Sequence, residues 1–186
     1  MQDYSIDAGT NNITIQQYIK EQTKQYIKLK ILITGGNNAK TLKLLKAFPG
    51  HFILFADYGD VPGMVTDHYA FTSLGELNKD SIAHILLNFC ITEAVDTIIP
   101  LHHFEIEPIA KSAVLFGEYG IDVLLPPLES LNDYLNTEKA SNTYFSVFVK
   151  GDSIYNSGLK SEAKFQDSFN GVFTLNNAND YKLFTV

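Results

Sequence analysis

The sequence contains no arginine, and all 14 of its basic residues are lysines. Without guanidinium groups, the chain cannot form the bidentate clamps that proteins often place on phosphates and carboxylates. This lack counts against a self-sufficient phosphoryl-transfer enzyme, which usually surrounds its phosphates with dense positive charge. A drift from arginine to lysine in a biased genome explains the lack more simply.

Cysteine, positive charge and long apolar runs are also scarce. The single cysteine, Cys90, lies in an apolar helical stretch, which predicts a core residue in a reducing compartment. No apolar run reaches the roughly 20 residues of a membrane span, and no signal-peptide pattern opens the chain. The formal charge of -7 disfavours binding to nucleic acid. We therefore expect a cytoplasmic protein that binds neither nucleic acid nor membranes.

The most informative local pattern is a glycine turn between a strand and a helix. An apolar strand over Lys30–Thr34 runs into Gly35-Gly36 and then into a helix predicted over residues 38–48. This arrangement is typical of the first turn of a parallel α/β sheet. Strand and helix patterns alternate from there to about residue 142, including a long helix predicted over residues 105–119 and ended by Gly120.

The remainder of the chain completes the predicted architecture. Residues 13–29 have helical apolar spacing, a second short helix could start at Thr137, and residues 143–186 are rich in β formers. We predict an α/β fold with three layers, Rossmann-like, with a mostly parallel sheet of four or five strands. An N-terminal helix or extension (residues 1–29), a Rossmann domain (30–142) and a small β-rich tail (143–186) make up the chain.

The glycine turn and the end of the second strand form the candidate cofactor site. Close backbone approach and free amides at a helix start would suit an anion or a nucleotide. Asp57 lies 21 residues after Gly36, near the position of a ribose-binding acid in dinucleotide folds. A glycine turn that only connects two elements fits the pattern equally well. The predicted cofactor-binding residues are Thr34, Gly35, Gly36, Asn37, Asn38 and Asp57.

A second polar cluster follows the third predicted strand. His102, His103 and Glu105 project near the same sheet edge, so they could contact a substrate, supply a base or hold a metal. Adjacent residues point apart, which argues against both histidines binding one ion, and we predict no metal site. A polar loop followed by a helix-starting glutamate is the alternative interpretation. We predict substrate binding for these three residues.

Several segments together resemble the preATP-grasp domain of carbamoyl-phosphate-synthase-like ATP-grasp proteins. The resemblance covers about residues 29–150 and includes the Thr-Gly-Gly turn, the strand ending at Asp57 and the Pro62-Gly63 loop. It continues through Asp96-Thr97-Ile98-Ile99-Pro100, the stretch 120–126 ending in Leu-Leu-Pro, and Thr137-Glu138-Lys139. The resemblance implies the substrate-side domain of that family without a complete ATP-grasp domain, since the residues after Lys139 leave no room for its metal-binding end.

From these patterns we expect a domain that binds a small molecule or a nucleotide, such as ATP or NAD, at the carboxyl edge of the sheet. We do not expect a complete catalyst, and we assign no catalytic residue. The resemblance allows a separate ATP-grasp subunit as partner, and the chain could also form a homodimer. One alternative is an NAD(P)-dependent oxidoreductase, suggested by the spacing from Gly36 to Asp57. Another is a non-enzymatic homo-oligomeric assembly protein that associates through the first helix and the aromatic tail.

Overall fold

The computed structural model describes residues 28–135, 144–158, 165–177 and 180–186. The helix predicted over residues 13–29 lies outside this part of the chain, apart from its last two residues. The helix predicted to start at Thr137 also lies outside it. No helix within the described residues is long and apolar enough to cross a bilayer.

Residues 30–123 build a five-stranded, fully parallel sheet. The strands are β1 (Lys30–Thr34), β2 (Phe52–Asp57), β3 (Tyr69–Ser73), β4 (Thr97–Ile99) and β5 (Asp122–Val123). Parallel sheets are covered on both faces, and the almost wholly buried β1 and β2 fit this arrangement. The spatial order β3-β2-β1-β4-β5 matches one half of a doubly wound fold plus two further strands, which confirms the predicted Rossmann-like class.

Helical segments connect these strands. Two of them are 3-10 helices, Thr41–Ala47 and Lys79–Ser81. The α-helices are α1 (Ile82–Thr92), α2 (His103–Lys111), α3 (Ala113–Glu118) and α4 (Leu131–Tyr134).

Two of the helix predictions differ from the structure. The segment after the glycine turn is a 3-10 helix, because its buried residues Thr41, Leu44 and Ala47 recur every three residues. The long helix predicted over residues 105–119 is divided into α2 and α3 at Ser112, whose ψ of 4° leaves the α-helical range. The predicted stop at Gly120 is confirmed by its φ of +73°.

The β-rich tail forms a second, antiparallel sheet. Its strands are β6 (Ser146–Val149), β7 (Asp152–Asn156), β8 (Gly171–Asn177) and β9 (Asp180–Leu183), and their spatial order is β7-β6-β8-β9. A Lys150-Gly151 turn joins β6 to β7, and both turn residues have positive φ, 50° and 78°. The predicted antiparallel hairpins are therefore confirmed.

Both faces of the parallel sheet pack against helical segments and against the antiparallel sheet. One face, which includes Leu32 and Ile98, shares its cluster with α1, α2 and, from the antiparallel sheet, Phe148, Phe173 and Tyr181. The opposite face, which includes Ile31 and Ile33, packs against the first 3-10 helix and the antiparallel sheet. From that second sheet come Phe145, Val147, Val172 and Phe184. Residues on both sides of the boundary predicted near residue 142 thus share one core.

Candidate functional site

The carboxyl ends of β1, β2 and β4 bring the predicted site residues to one edge of the sheet. Thr34 is paired with Ala56, and Ile33 is paired with Ile99, so the three strands end side by side. The strand order reverses direction between β1 and β4, which is where doubly wound folds bind ligands. The glycine turn, Asp57 and the loop at His102 therefore lie close together.

The two glycines of the turn are required by contacts within the chain itself. Gly35 has a φ of +71°, and a Cβ at this position would collide with Cγ2 of Val186. At Gly36, a Cβ would lie 2.9 Å from the backbone carbon of Phe55. Val186 is held there by its amide, which donates to the Leu101 carbonyl at 3.0 Å. The side chain of Val186 thus covers the turn at the point where the strand order reverses.

The backbone amides of this turn are largely occupied by partners within the chain. Gly36 N donates to Ala56 O at 2.9 Å, and Asn37 N donates to Asp57 Oδ2 at 2.9 Å. The next residue, Asn38, donates its amide to Gly35 O at 3.1 Å. Asp57 therefore places its own negative charge where the sequence predicted an external anion.

Asp57 is the centre of the first half of the site. Its Oδ1 accepts from Tyr58 N at 2.9 Å and lies 2.9 Å from His102 Nε2. Because a carboxylate can only accept, His102 carries a proton on Nε2. The two side chains are 12% and 18% exposed, so the contact is shielded without being sealed.

Glu105 is the centre of the second half, and its side chain is fully buried. One carboxylate oxygen, Oε1, accepts from the Tyr58 hydroxyl at 2.7 Å. The other, Oε2, accepts from the Thr34 hydroxyl and, at 3.4 Å, from His102 N. Thr34 Oγ1 in turn accepts from Leu101 N at 2.8 Å, so the carboxylate is tied to β1 and to the loop after β4.

Burial changes the acidity of both partners in this second half. Desolvation raises the pKa of Glu105 above its ordinary value of 4.5, although the hydrogen bonds from Thr34 and Tyr58 act in the opposite direction. Desolvation, followed by the nearby charge of Glu105, raises the pKa of the Tyr58 hydroxyl. The hydroxyl thus remains a donor over the physiological pH range. We call Thr34, Asp57, Tyr58, His102 and Glu105 the edge cluster.

Three partly exposed aromatic rings lie beside one another at this edge, and two of them, Tyr58 and His102, belong to the edge cluster. His102 stacks on Phe104 with ring centroids 4.9 Å apart and an interplanar angle of 12°. Tyr58 lies 5.8 Å from each of these rings, and Lys79 Nζ is 5.6 Å from the Phe104 centroid. We call Tyr58, His102 and Phe104 the ring surface.

Sequence reasoning did not single out Tyr58, Phe104 or Thr41 as site residues. Tyr58 directly follows Asp57, and Phe104 lies between His103 and Glu105 in the sequence. An aromatic residue next to a predicted site residue was therefore the signal that could have indicated them. Thr41 is buried, and its hydroxyl has no hydrogen-bond partner within the described residues. It lies 3.6 Å from the position that a Gly35 Cβ would take.

Not every predicted site residue joins the edge cluster. His103 is exposed and makes no hydrogen bond or ring contact within the described residues. Asn37 directs its side-chain amide to Asp60 O at 3.0 Å, and Asn38 uses Oδ1 to accept from Lys40 N at 2.9 Å. In the part of the chain that the structure describes, no three His, Cys, Asp or Glu side chains are grouped to hold a metal ion.

The edge cluster therefore has limited chemistry of its own. All four oxygens of Asp57 and Glu105 already accept hydrogen bonds from the chain. What the site presents outward is the ring surface, with a cation beside it. Such a surface is suited to stacking on a planar ligand.

Comparison with known proteins adds no family assignment. No protein-family model matches the chain, and no curated protein matches it.

Proposed function

We propose that this chain is a Rossmann-like, preATP-grasp-like domain that binds a planar small molecule, with nucleotides as the representative class, at the carboxyl edge of the parallel sheet. The observation that carries the proposal is the edge cluster, which joins three separate chain segments through partly buried hydrogen bonds to Asp57 and Glu105. Fully connected buried polar networks hold their members in one geometry. We assign no reaction to the site.

The ring surface supports a ligand that stacks. Aromatic contacts of this kind contribute about 0.5–1.5 kcal/mol each beyond the area that they bury. His102 is oriented by Asp57 on one edge and by Phe104 on one face, so it would not reorganise when a ligand binds. Lys79, next to Phe104, supplies a positive charge for an acidic group on the same ligand.

The occupied glycine turn determines where a phosphate would go. An anion at Asn37 N would have to replace the carboxylate of Asp57, and Val186 covers Gly35. We therefore propose that the ring of the ligand is its main anchor and that a phosphate lies toward Lys79. Under this proposal, a nucleoside retains most of the affinity of its nucleotide.

The resemblance to preATP-grasp domains supports a further part of the proposal, namely that the partner is a separate ATP-grasp subunit. An adjacent reading frame that encodes an ATP-grasp domain would favour this partner. Light scattering of the isolated protein tests the homodimer that the sequence also allows.

The binding proposal is tested by isothermal titration with adenosine, ATP, ADP and NAD. We expect adenosine and ATP to bind within tenfold of each other, and His102→Ala to raise the dissociation constant at least tenfold, about 1.4 kcal/mol. His103→Ala is the matched control, because this neighbouring histidine is exposed and lies outside the edge cluster. The proposal is rejected by a lack of binding of all four compounds, or by equal effects of the two substitutions.

A further inference from the structure

A cavity of about 660 Å³ lies at the opposite, amino edge of the parallel sheet. Its wall includes His51, which directly precedes β2, and Thr97 and Asp122, which are paired with each other at the beginnings of β4 and β5. Ile31 near the start of β1 and Thr34 at its end are three residues apart, or about 10 Å along the strand. The cavity is therefore distinct from the edge cluster.

The cavity has the composition of a small-molecule site. Its apolar floor comes from both sheets and from the end of the first 3-10 helix, and it includes Ile31, Phe48, Val123, Val149 and Ile154. Small-molecule pockets are typically 300–1,000 Å³ in volume and mostly apolar, with a few polar groups that fix orientation. This cavity meets both criteria.

Four titratable side chains stand at the wall of the cavity. The carboxylates of Asp122 and Asp167 make no hydrogen bond or ion pair within the described residues, so they are available to accept from a ligand. His51 Nδ1 accepts from Leu29 N at 3.1 Å, which leaves the proton on Nε2. Lys150 supplies one positive charge at the wall, against the two negative charges of Asp122 and Asp167.

A hairpin turn fixes the position of Lys150 beside the cavity. Its φ of +50° is what a two-residue turn between antiparallel strands requires at this position. Asn170, which also lines the cavity, holds this turn by accepting from Lys150 N at 2.6 Å.

We propose that the amino-edge cavity binds a neutral aromatic small molecule that carries an N–H or O–H donor. The apolar floor takes the rings, and Asp122 and Asp167 accept from the donor. An anionic ligand is disfavoured, because two carboxylates face one ammonium group at the wall and the whole chain carries a formal charge of -7. This site does not depend on the function proposed for the carboxyl edge.

The test uses two dyes that differ in one group. N-phenyl-1-naphthylamine is a neutral diaryl amine, and 8-anilinonaphthalene-1-sulfonate is the same amine with a sulfonate. We expect saturable fluorescence enhancement with the neutral dye and at least tenfold weaker binding of the sulfonate. An excess of ATP, which is anionic, is expected to leave the neutral dye in place.

Two substitutions locate the dye. Ile154→Trp fills the cavity and is expected to weaken binding of the neutral dye at least tenfold. Leu115→Trp on α3 is the matched control, since Leu115 and Ile154 are 44% and 46% exposed, and we expect a change of less than twofold. Circular dichroism verifies that both variants fold.

A charge variant tests the role of the carboxylates without filling the cavity. Replacing Asp122 and Asp167 together by Asn removes both negative charges and is expected to strengthen sulfonate binding at least threefold. The proposal is overturned by equal binding of the two dyes to the unmodified protein, by displacement of the neutral dye by ATP, by equal effects of the two Trp variants, or by sulfonate binding that the Asn variant leaves unchanged.

Discussion

The replacement of Glu105 by Gln isolates the effect of one buried carboxylate on stability. Glu105 is fully buried, and the groups around it that carry or exchange protons are Tyr58, His102 and, through His102, Asp57. The amide of Gln has the shape of the carboxylate, and its oxygen can still accept from Thr34. Its NH₂ group can donate to the Tyr58 hydroxyl, which then acts as acceptor. The substitution thus removes the charge and retains the hydrogen bonds.

The pH dependence follows from the raised pKa of Glu105. Between the ordinary value of 4.5 and the higher folded value, the folded state binds more protons than the unfolded state. Stability contributed by this group is therefore complete below pH 4.5 and falls as the pH rises, by about 1.4 kcal/mol per pH unit inside that window. Above the folded pKa the loss is constant. Glu105→Gln lacks this loss.

The expected result is a difference between two stability curves. The free energy of unfolding is measured in urea from pH 4 to pH 8 for the unmodified protein and for Glu105→Gln. From pH 4.5 upward, the free energy of unfolding of the variant is expected to rise relative to that of the unmodified protein by about 1.4 kcal/mol per pH unit. Above the folded pKa of Glu105 the difference is expected to stay constant. Glu105→Ala is expected to lose about 3 kcal/mol or more at all pH values, because it leaves three donors unpaired.

Glu107 provides the control for this experiment. It lies on the same helix, α2, but it is exposed and pairs with Lys111 at 2.6 Å, which lowers its pKa. Glu107→Gln should therefore show no gain in stability as the pH rises. A flat difference curve for Glu105→Gln, or a curve that falls with pH, would refute the reasoning.

Two further predictions concern the packing of the chain. Gly35→Ala is expected to lower the free energy of unfolding by roughly 1–2 kcal/mol for its left-handed backbone, and further for the collision with Val186. Adding Val186→Ala to the Gly35→Ala variant should recover part of this loss, because it removes the collision. Urea denaturation of the two single variants and the double variant measures this, and additive changes in the free energy of unfolding would contradict it. Cys90 is fully buried, and burial raises its pKa from 9.0 to about 12, so the thiolate is on the order of a thousandfold scarcer. Iodoacetamide should therefore alkylate it far more slowly in the native protein than in urea, and equal rates would contradict its placement.

The fold class could be predicted because its signals are local. The apolar run Lys30–Thr34 and the glycine turn after it specify a buried parallel strand and its exit, and both are found. The 3-10 form of Thr41–Ala47 could not be predicted from composition, since it depends on which residues face the second sheet. The order of the strands likewise depends on contacts between distant segments.

The candidate site was predicted residue by residue but not as a network. His102 and Asp57 were each expected at the carboxyl edge, yet their contact joins residues separated by 45 positions. The hydrogen bond between Tyr58 and Glu105 likewise joins residues that are 47 positions apart, so no local pattern indicates it. The contact of Gly35 with Val186 spans almost the whole described chain, and no pattern at either end indicates it. Local motifs show which residues can take part, and tertiary packing decides which of their donors are already used.

The shared core of the two sheets has a consequence for biosynthesis. A ribosome completes the parallel strands well before it adds the segment that contains Val172 and Phe184, and those two residues cover the face formed by Ile31 and Ile33. The nascent polypeptide thus exposes part of this apolar face until residues 172 and 184 have been synthesised and have left the ribosome. During that interval it is a natural client for chaperones, and its yield in the cell should depend on the speed of elongation through residues 143–186.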